Sequence, residues 1–136
     1  MSSITFVHAK KRTRGELRLP QLHFVAVDDW VDKLGNLAFI SWLKFYSWAD
    51  RSDPERQYDN IPNSLNTLVK RLGISKSTFY EKVIRPLWNY GFIDFHQYEK
   101  DKTIHVNIIV YEYPQNDPKL ATAPIEKIRD YDTEYQ

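Results

Sequence analysis

The clearest pattern of apolar and polar positions lies in residues 61–91. Leu65, Leu68, Val69 and Leu72 recur at i, i+3, i+4 and i+7, which predicts a helix with one apolar face. Asn63 or Ser64 stands where an N-cap is wanted. Gly73 suits the left-handed residue that ends such a helix, and Ile74 is an apolar plug behind it. Ser75 then caps a second helix, KSTFYEKVI, whose Phe79 and Val83 share a face at i, i+4. Pro86 has no amide hydrogen and disfavours a helical Arg85, so this helix must stop, kink or restart there. Leu87, Trp88 and Tyr90 extend the apolar surface to Gly91.

The pattern then changes period. Phe92, Asp94 and His96 alternate with Ile93, Phe95 and Gln97, and Ile104, Val106, Ile108 and Val110 alternate with His105, Asn107 and Ile109. Two alternating runs about a short charged turn predict a β-hairpin. Upstream, Asn36 is placed to cap the helix LAFISWLKFYSWAD, with Leu37, Ile40 and Leu43 on one side and Phe39, Trp42, Phe45 and Tyr46 filling much of the rest. A helix apolar on most sides is either buried on most sides or meets a partner. The aromatic excess at Phe39, Trp42 and Phe45 suggests the seam of a homodimer. Residues 21–27 read as a short strand or extended lead-in, Asp28 and Asp29 as caps of a turn ending near Gly35, and 50–60 as a polar loop. The expected organisation is a basic arm over 1–19, a folded domain over 20–114 and a flexible tail over 115–136, with at most a short helix at 124–131. The fold class is α+β, mainly α.

Charge changes this picture more than composition does. The net charge is only +1, but residues 1–19 and 61–91 carry +4 each, while the stretches between and after them are acidic. Phosphate binding needs a local field rather than a net one. With 42% hydrophobic and 15% aromatic residues the chain has enough apolar material for a core. The absence of cysteine excludes disulfides and thiol chemistry. No apolar run nears the roughly 20 residues of a membrane span, and the start lacks a secretion-type apolar segment, so a cytoplasmic protein without membrane contact is expected. His8, His23, His96 and His105 show no metal-ligand spacing, although His96 and His105 fall on facing hairpin strands. No phosphate-cradling glycine loop or nucleophile set is evident. Neither enzymatic activity nor a cofactor is expected.

Helix, three-residue turn with glycine, helix and hairpin make up a helix-turn-helix with a wing. In such a motif the outward residues near the start of the second helix enter the major groove of DNA. Lys76, Ser77, Tyr80 and Glu81 are expected to point away from the Phe79/Val83 face. The candidate DNA-binding residues on this helix are Ser75, Lys76, Ser77, Thr78, Tyr80 and Lys82. Asn63 and Ser64 at the first helix are candidate phosphate contacts, as are Lys100 and Lys102 in the wing turn and Lys10, Lys11, Arg12 and Arg14 in the arm.

The run IPNSLNTLVKRLGISKSTFYEKVIRPLWNYGFIDF resembles the winged helix-turn-helix superfamily. Within it, Gly73-Ile74-Ser75-Lys76-Ser77-Thr78 is similar to the turn and recognition-helix start of many bacterial repressors. The wider span from Leu34-Gly35 through Ala38 and Tyr46 to Phe95 resembles the N-terminal domains of replication initiators and DnaD-like proteins of Gram-positive plasmids and phages. Pro86 departs from that pattern. The resemblance implies a three-helix core with a C-terminal hairpin wing, and a sequence-specific regulator of transcription or of plasmid or phage replication. Its partners would be double-stranded DNA and a second copy of itself. The alternative is a winged-helix docking module in replication initiation or helicase loading, which would expose apolar rather than basic side chains over 76–82.

Overall fold

The computed structural model describes residues 2–9, 21–49 and 61–135. The 1–19 arm is not an arm at its start. Ser2–His8 forms a strand, β1, that pairs in parallel with β3 (Thr103–Val110), Ile4 opposite Val106 and Phe6 opposite Ile108. Ile4 and Phe6 point into the core while Thr5 points out, so the strand follows from its own alternation. β2 (Ile93–Lys100) pairs antiparallel with the other edge of β3, which gives the sheet order β1-β3-β2.

The lead-in at 21–27 is helical, not extended, in its second half. A π-helical turn, Ala26–Trp30, runs without a break into α1 (Val31–Leu34). Ala26, Trp30 and Leu34, four apart, bury one face of it. α2 (Asn36–Trp48) follows at once. Its N-cap is Gly35 rather than Asn36, in a φ of 91° that a side chain rarely adopts, with the Gly35 carbonyl accepting from Phe39 N at 3.1 Å.

α2 runs through the middle of the domain. Phe39, Trp42, Phe45, Tyr46 and Trp48 are buried against β1, β3 and the later helices of the same chain. The seam expected at Phe39, Trp42 and Phe45 is therefore core. Trp42 packs edge-on to Trp30 and Phe92, with centroids 6.2 and 4.9 Å away, and its Nε1 donates to the Tyr111 carbonyl at 2.9 Å. A buried indole needs such an acceptor, and this one ties α2 to the end of β3.

α3 (Leu65–Leu72) ends at Gly73, φ 72°, where Ile74 N bonds the Val69 carbonyl at 3.0 Å and Gly73 N the Lys70 carbonyl at 3.1 Å. This paired closure of the last turn is the Schellman arrangement. α4 (Lys76–Thr78), a π-helical stretch Phe79–Ile84 and α5 (Arg85–Asn89) form one continuous helix, the second of the helix-turn-helix. Pro86 neither ends nor breaks it. A proline ring crowds the carbonyl four residues back and leaves it without a donor. The widened turns just before it, with Arg85 N bonded to the Tyr80 carbonyl, open that register. A second Schellman closure at Gly91 turns the chain into β2, with Phe92 N bonded to the Leu87 carbonyl at 2.8 Å.

The segment after Pro114, expected to be a flexible tail, lies along the body. Turns of 3-10 helix stand at Pro114–Asn116 and Pro118–Thr122, and its α-helix, α6, falls at Tyr131–Glu134 rather than 124–131. Ile125 is buried, with its N bonded to Asp29 Oδ2 at 2.8 Å and its carbonyl to Lys33 Nζ at 2.7 Å. The Ala123 carbonyl accepts from Trp30 Nε1 at 2.8 Å. Arg129 Nε donates to the Trp88 carbonyl at 2.7 Å, and its Nη2 to the Ile93 carbonyl and Asp94 Oδ1 at 2.8 and 2.9 Å. Its guanidinium sits 3.8 Å above the Trp88 ring. Tyr131 and Tyr135 stack on each other and meet the Trp88 edge.

Candidate nucleic-acid interface

Local sequence builds the starts of both helices of the helix-turn-helix. Ser64, extended at φ −143°, accepts from Thr67 N at 3.2 Å and so opens α3. Ser75, extended at φ −81°, accepts from Thr78 N at 3.2 Å and opens α4. Each seryl hydroxyl also donates to the following threonine, Ser64 to Thr67 and Ser75 to Thr78. β1 reinforces the first of these starts, since Ile4 N donates to the Asn63 carbonyl at 2.9 Å.

From this frame Lys76, Ser77, Glu81 and Lys82 project into solvent, and Asn63, Lys70 and Arg71 are exposed beside them. Thr78 is half-buried. Lys100 and Lys102 are exposed at the far end of the hairpin, Lys100 closing β2 against Thr103 and Lys102 in the turn. Asp101 and Lys102 both take positive φ, 54° and 62°, which makes this a two-residue primed turn that matches the strands' twist. Lys76 and Lys82 thus stand on the second helix, and Lys100 and Lys102 on the wing. Lys10, Lys11, Arg12 and Arg14 lie outside the described residues.

Tyr80 is placed differently from the expectation. It is half-buried, edge-on to Phe79 and to Phe95 of β2, with centroids 5.5 and 5.9 Å away. Burial raises its phenol pKa above the ordinary value. A wider turn rotates the chain less per residue, so Tyr80 stays nearer the face of Phe79 than an α-helical count places it. It forms one wall of a groove between the second helix and the wing, lined also by Leu65, Asn66, Lys76, Gln97 and Ile104. Asn66 and Gln97 are exposed amides on that groove which the sequence reading passed over. Their signal was weak, because each is a single polar residue on an outward face and only the fold brings them together.

His96 and His105 lie on the outer face of the sheet. His96 is paired with Asn107 and His105 with Tyr98, so the two histidines are not opposite one another. His105 stacks on Tyr98 and its Nδ1 lies 2.6 Å from Ser3 Oγ. Among the described residues no three metal-ligating side chains come together. At the root of the wing, Tyr111 hydrogen-bonds Asp94. Burial, then that bond and the Asp94 charge, push its phenol up to about 12.

The family profile of the RepA N-terminal winged helix domain matches residues 15–136. The chain belongs to this family. Among curated proteins, Protein RepA of Bacillus subtilis is 49% identical over 129 residues, which is 92% of this chain and 32% of that protein. The chain therefore spans about a third of the length of the relative it matches. No solved structure matches it. Family and fold agree with the winged-helix reading of Ile61–Phe95 and with its likeness to replication-initiator N-terminal domains. Among the described residues, no helix is long and apolar enough to cross a membrane.

Proposed function

We propose that this winged helix binds duplex DNA sequence-specifically, as the DNA-reading module of a replication initiator, and carries out no chemistry of its own. The observation that carries this reading is the solvent face of the reading helix. Lys76, Ser77, Glu81 and Lys82 are all exposed there, none of them apolar, behind a serine cap that fixes where the helix starts. A docking surface would place apolar side chains in those positions. The most exposed large apolar side chains, Phe24 at 88% and Val27 at 62%, precede α1 instead, and those nearest the site, Tyr98 and Ile104, stand on the wing. In this reading the start of the helix meets base edges in the major groove, while Lys100 and Lys102 hold an adjacent phosphate strand. Asn63 lies beside the first cap, within the same strip of exposed polar groups. A single reading helix spans few base pairs, so two copies on a two-fold site are expected. Transcriptional control by the same binding is compatible with this site, but the relative's name favours replication.

The test is duplex titration at several salt concentrations with the full chain. Affinity should fall steeply as salt rises, because each phosphate contact releases counterions. Binding that ignores salt, or no binding at low salt, would overturn the DNA role. It would leave a docking module in replication initiation or helicase loading.

A further inference from the structure

We infer that Glu81 reads a base, and that the base is cytosine. This rests on the DNA-binding role proposed above. Glu81 is an exposed carboxylate on the helix face that carries Lys76 and Lys82, in a segment of net charge +4. Within a helix a carboxylate finds its cation three or four positions away. Those positions here are Ser77, Thr78, Ile84 and Arg85. Arg85 is the single cation among them, and its Nε is engaged 2.8 Å from Asp132 Oδ1 on α6. Lys76, one wide turn back, lines the groove with Tyr80 and Ile104. Glu81 makes no hydrogen bond or ion pair with any described residue.

An unpaired carboxylate on this face opposes phosphate binding on every sequence alike. It gains a favourable role where it meets a donor. Ionised, it only accepts hydrogen bonds. In the major groove guanine offers acceptors, thymine an acceptor and a methyl, and adenine an acceptor beside its amino donor. Cytosine offers its N4 amino group with an acceptor on one side only, the O6 of its paired guanine, whereas adenine's amino group lies between two, so cytosine suits the carboxylate better. Glu81 would thus repel most sequences and accept from one base pair, which sets discrimination rather than strength.

Selection of bound duplexes from a random pool, with wild type, E81A and E81Q as full chains, tests this. Wild type should select a site with a required cytosine. E81A should lose that preference, by about tenfold or more at the one position. E81Q should exchange it for adenine, since a glutamine amide pairs adenine N6 and N7. Tighter binding of unselected duplex by both variants is expected too. Loss of any exposed carboxylate there would cause it, so base identity is the deciding readout. Both variants should melt with wild type because Glu81 is exposed. A wild type and E81A that select the same site with the same preferences would overturn the role of Glu81 and leave the DNA role standing. A wild type that selects no sequence would overturn the DNA reading itself, and the assignment of Glu81 with it.

Discussion

The turn at Gly73 and the run from Pro114 to Tyr135 both hold the reading helix, one at its start and the other at its end, by opposite means. At the start, the caps and the turn lie within a dozen residues. Ser64 and Ser75 cap, Gly73 reverses, and Val69 and Ile74 close the turn. At the end, the closure at Gly91 is local, but further ties come from far along the chain. Arg129 reaches across to the Trp88 and Ile93 carbonyls, Tyr131 N to Asn89 Oδ1 at 2.7 Å, and Ile128 N to the Asn89 carbonyl at 2.9 Å. The two ends also differ in charge. The stretch holding the start carries +4, whereas the final 22 residues carry −2 and place Asp132 on Arg85. The local end thus stays basic, and the non-local end is held by an acidic stretch.

The largest effect tests the anchor that both ends share. Phe79 is fully buried, with Phe45 at 6.5 Å between centroids and Tyr80 at 5.5 Å. Phe79→Ala should cost about 3–5 kcal/mol in denaturant unfolding. A shift below about 1 kcal/mol would mean that the helix is not seated by this face, and the assignment of its outward residues would fall too.

A smaller loss tests whether the final run belongs to the fold. Arg129→Ala removes three charge-assisted hydrogen bonds and a cation–π contact, and leaves the Asp94 carboxylate without its guanidinium partner. The expected cost is about 2–3 kcal/mol, because the freed acceptors are only part-buried and regain some water. Amide exchange at Ile128 and Tyr131 should rise as well. Unchanged stability and exchange would show that the C-terminal run only rests on the domain.

Legibility followed the same division. The helix-turn-helix was readable because its caps, its glycine and its apolar spacing fall inside one window, and the winged-helix class followed from it. The wing was readable from alternation around a polar turn. β1 was missed although Ile4 and Phe6 alternate with Ser3, Thr5 and Val7. Two inward positions make a faint pattern, and the strand that pairs with it lies about a hundred residues on. The C-terminal run carries no period at all. Its anchors, Ile125, Arg129 and Tyr131, are unevenly spaced and bind distant groups, Ile125 the side chains of Asp29 and Lys33, Arg129 the carbonyls of Trp88 and Ile93, and Tyr131 the side chain of Asn89. Tyr80 was misplaced for a different reason: an α-helical wheel was applied to a stretch that is π-helical ahead of Pro86. At the site, the exposure of Lys76, Ser77 and Lys82 was legible, whereas the groove with Asn66 and Gln97 needed the fold.

The smallest effect has the opposite sign and separates holding DNA from holding the fold. The wing turn places Asp101 and Lys102 at φ 54° and 62°. Aspartate tolerates this region, but lysine has a side chain that crowds its own backbone there, at a cost of about 1 kcal/mol. Asp-Gly is the pair that such a turn favours. Lys102→Gly should therefore stabilise the chain by about 0.5–1 kcal/mol, against the entropy that glycine loses on folding. It should also weaken binding to all duplexes alike and lower the salt slope by about 1, as the loss of one phosphate contact requires. Lys102→Ala is the control, since it removes the same charge while keeping a side chain at positive φ. It should match the glycine variant in DNA binding and fall below it in melting temperature. Equal melting of the two variants would show that the turn stores no strain. A glycine variant that binds DNA like wild type would show that the wing tip does not reach phosphate. The DNA role would then rest on the reading helix alone.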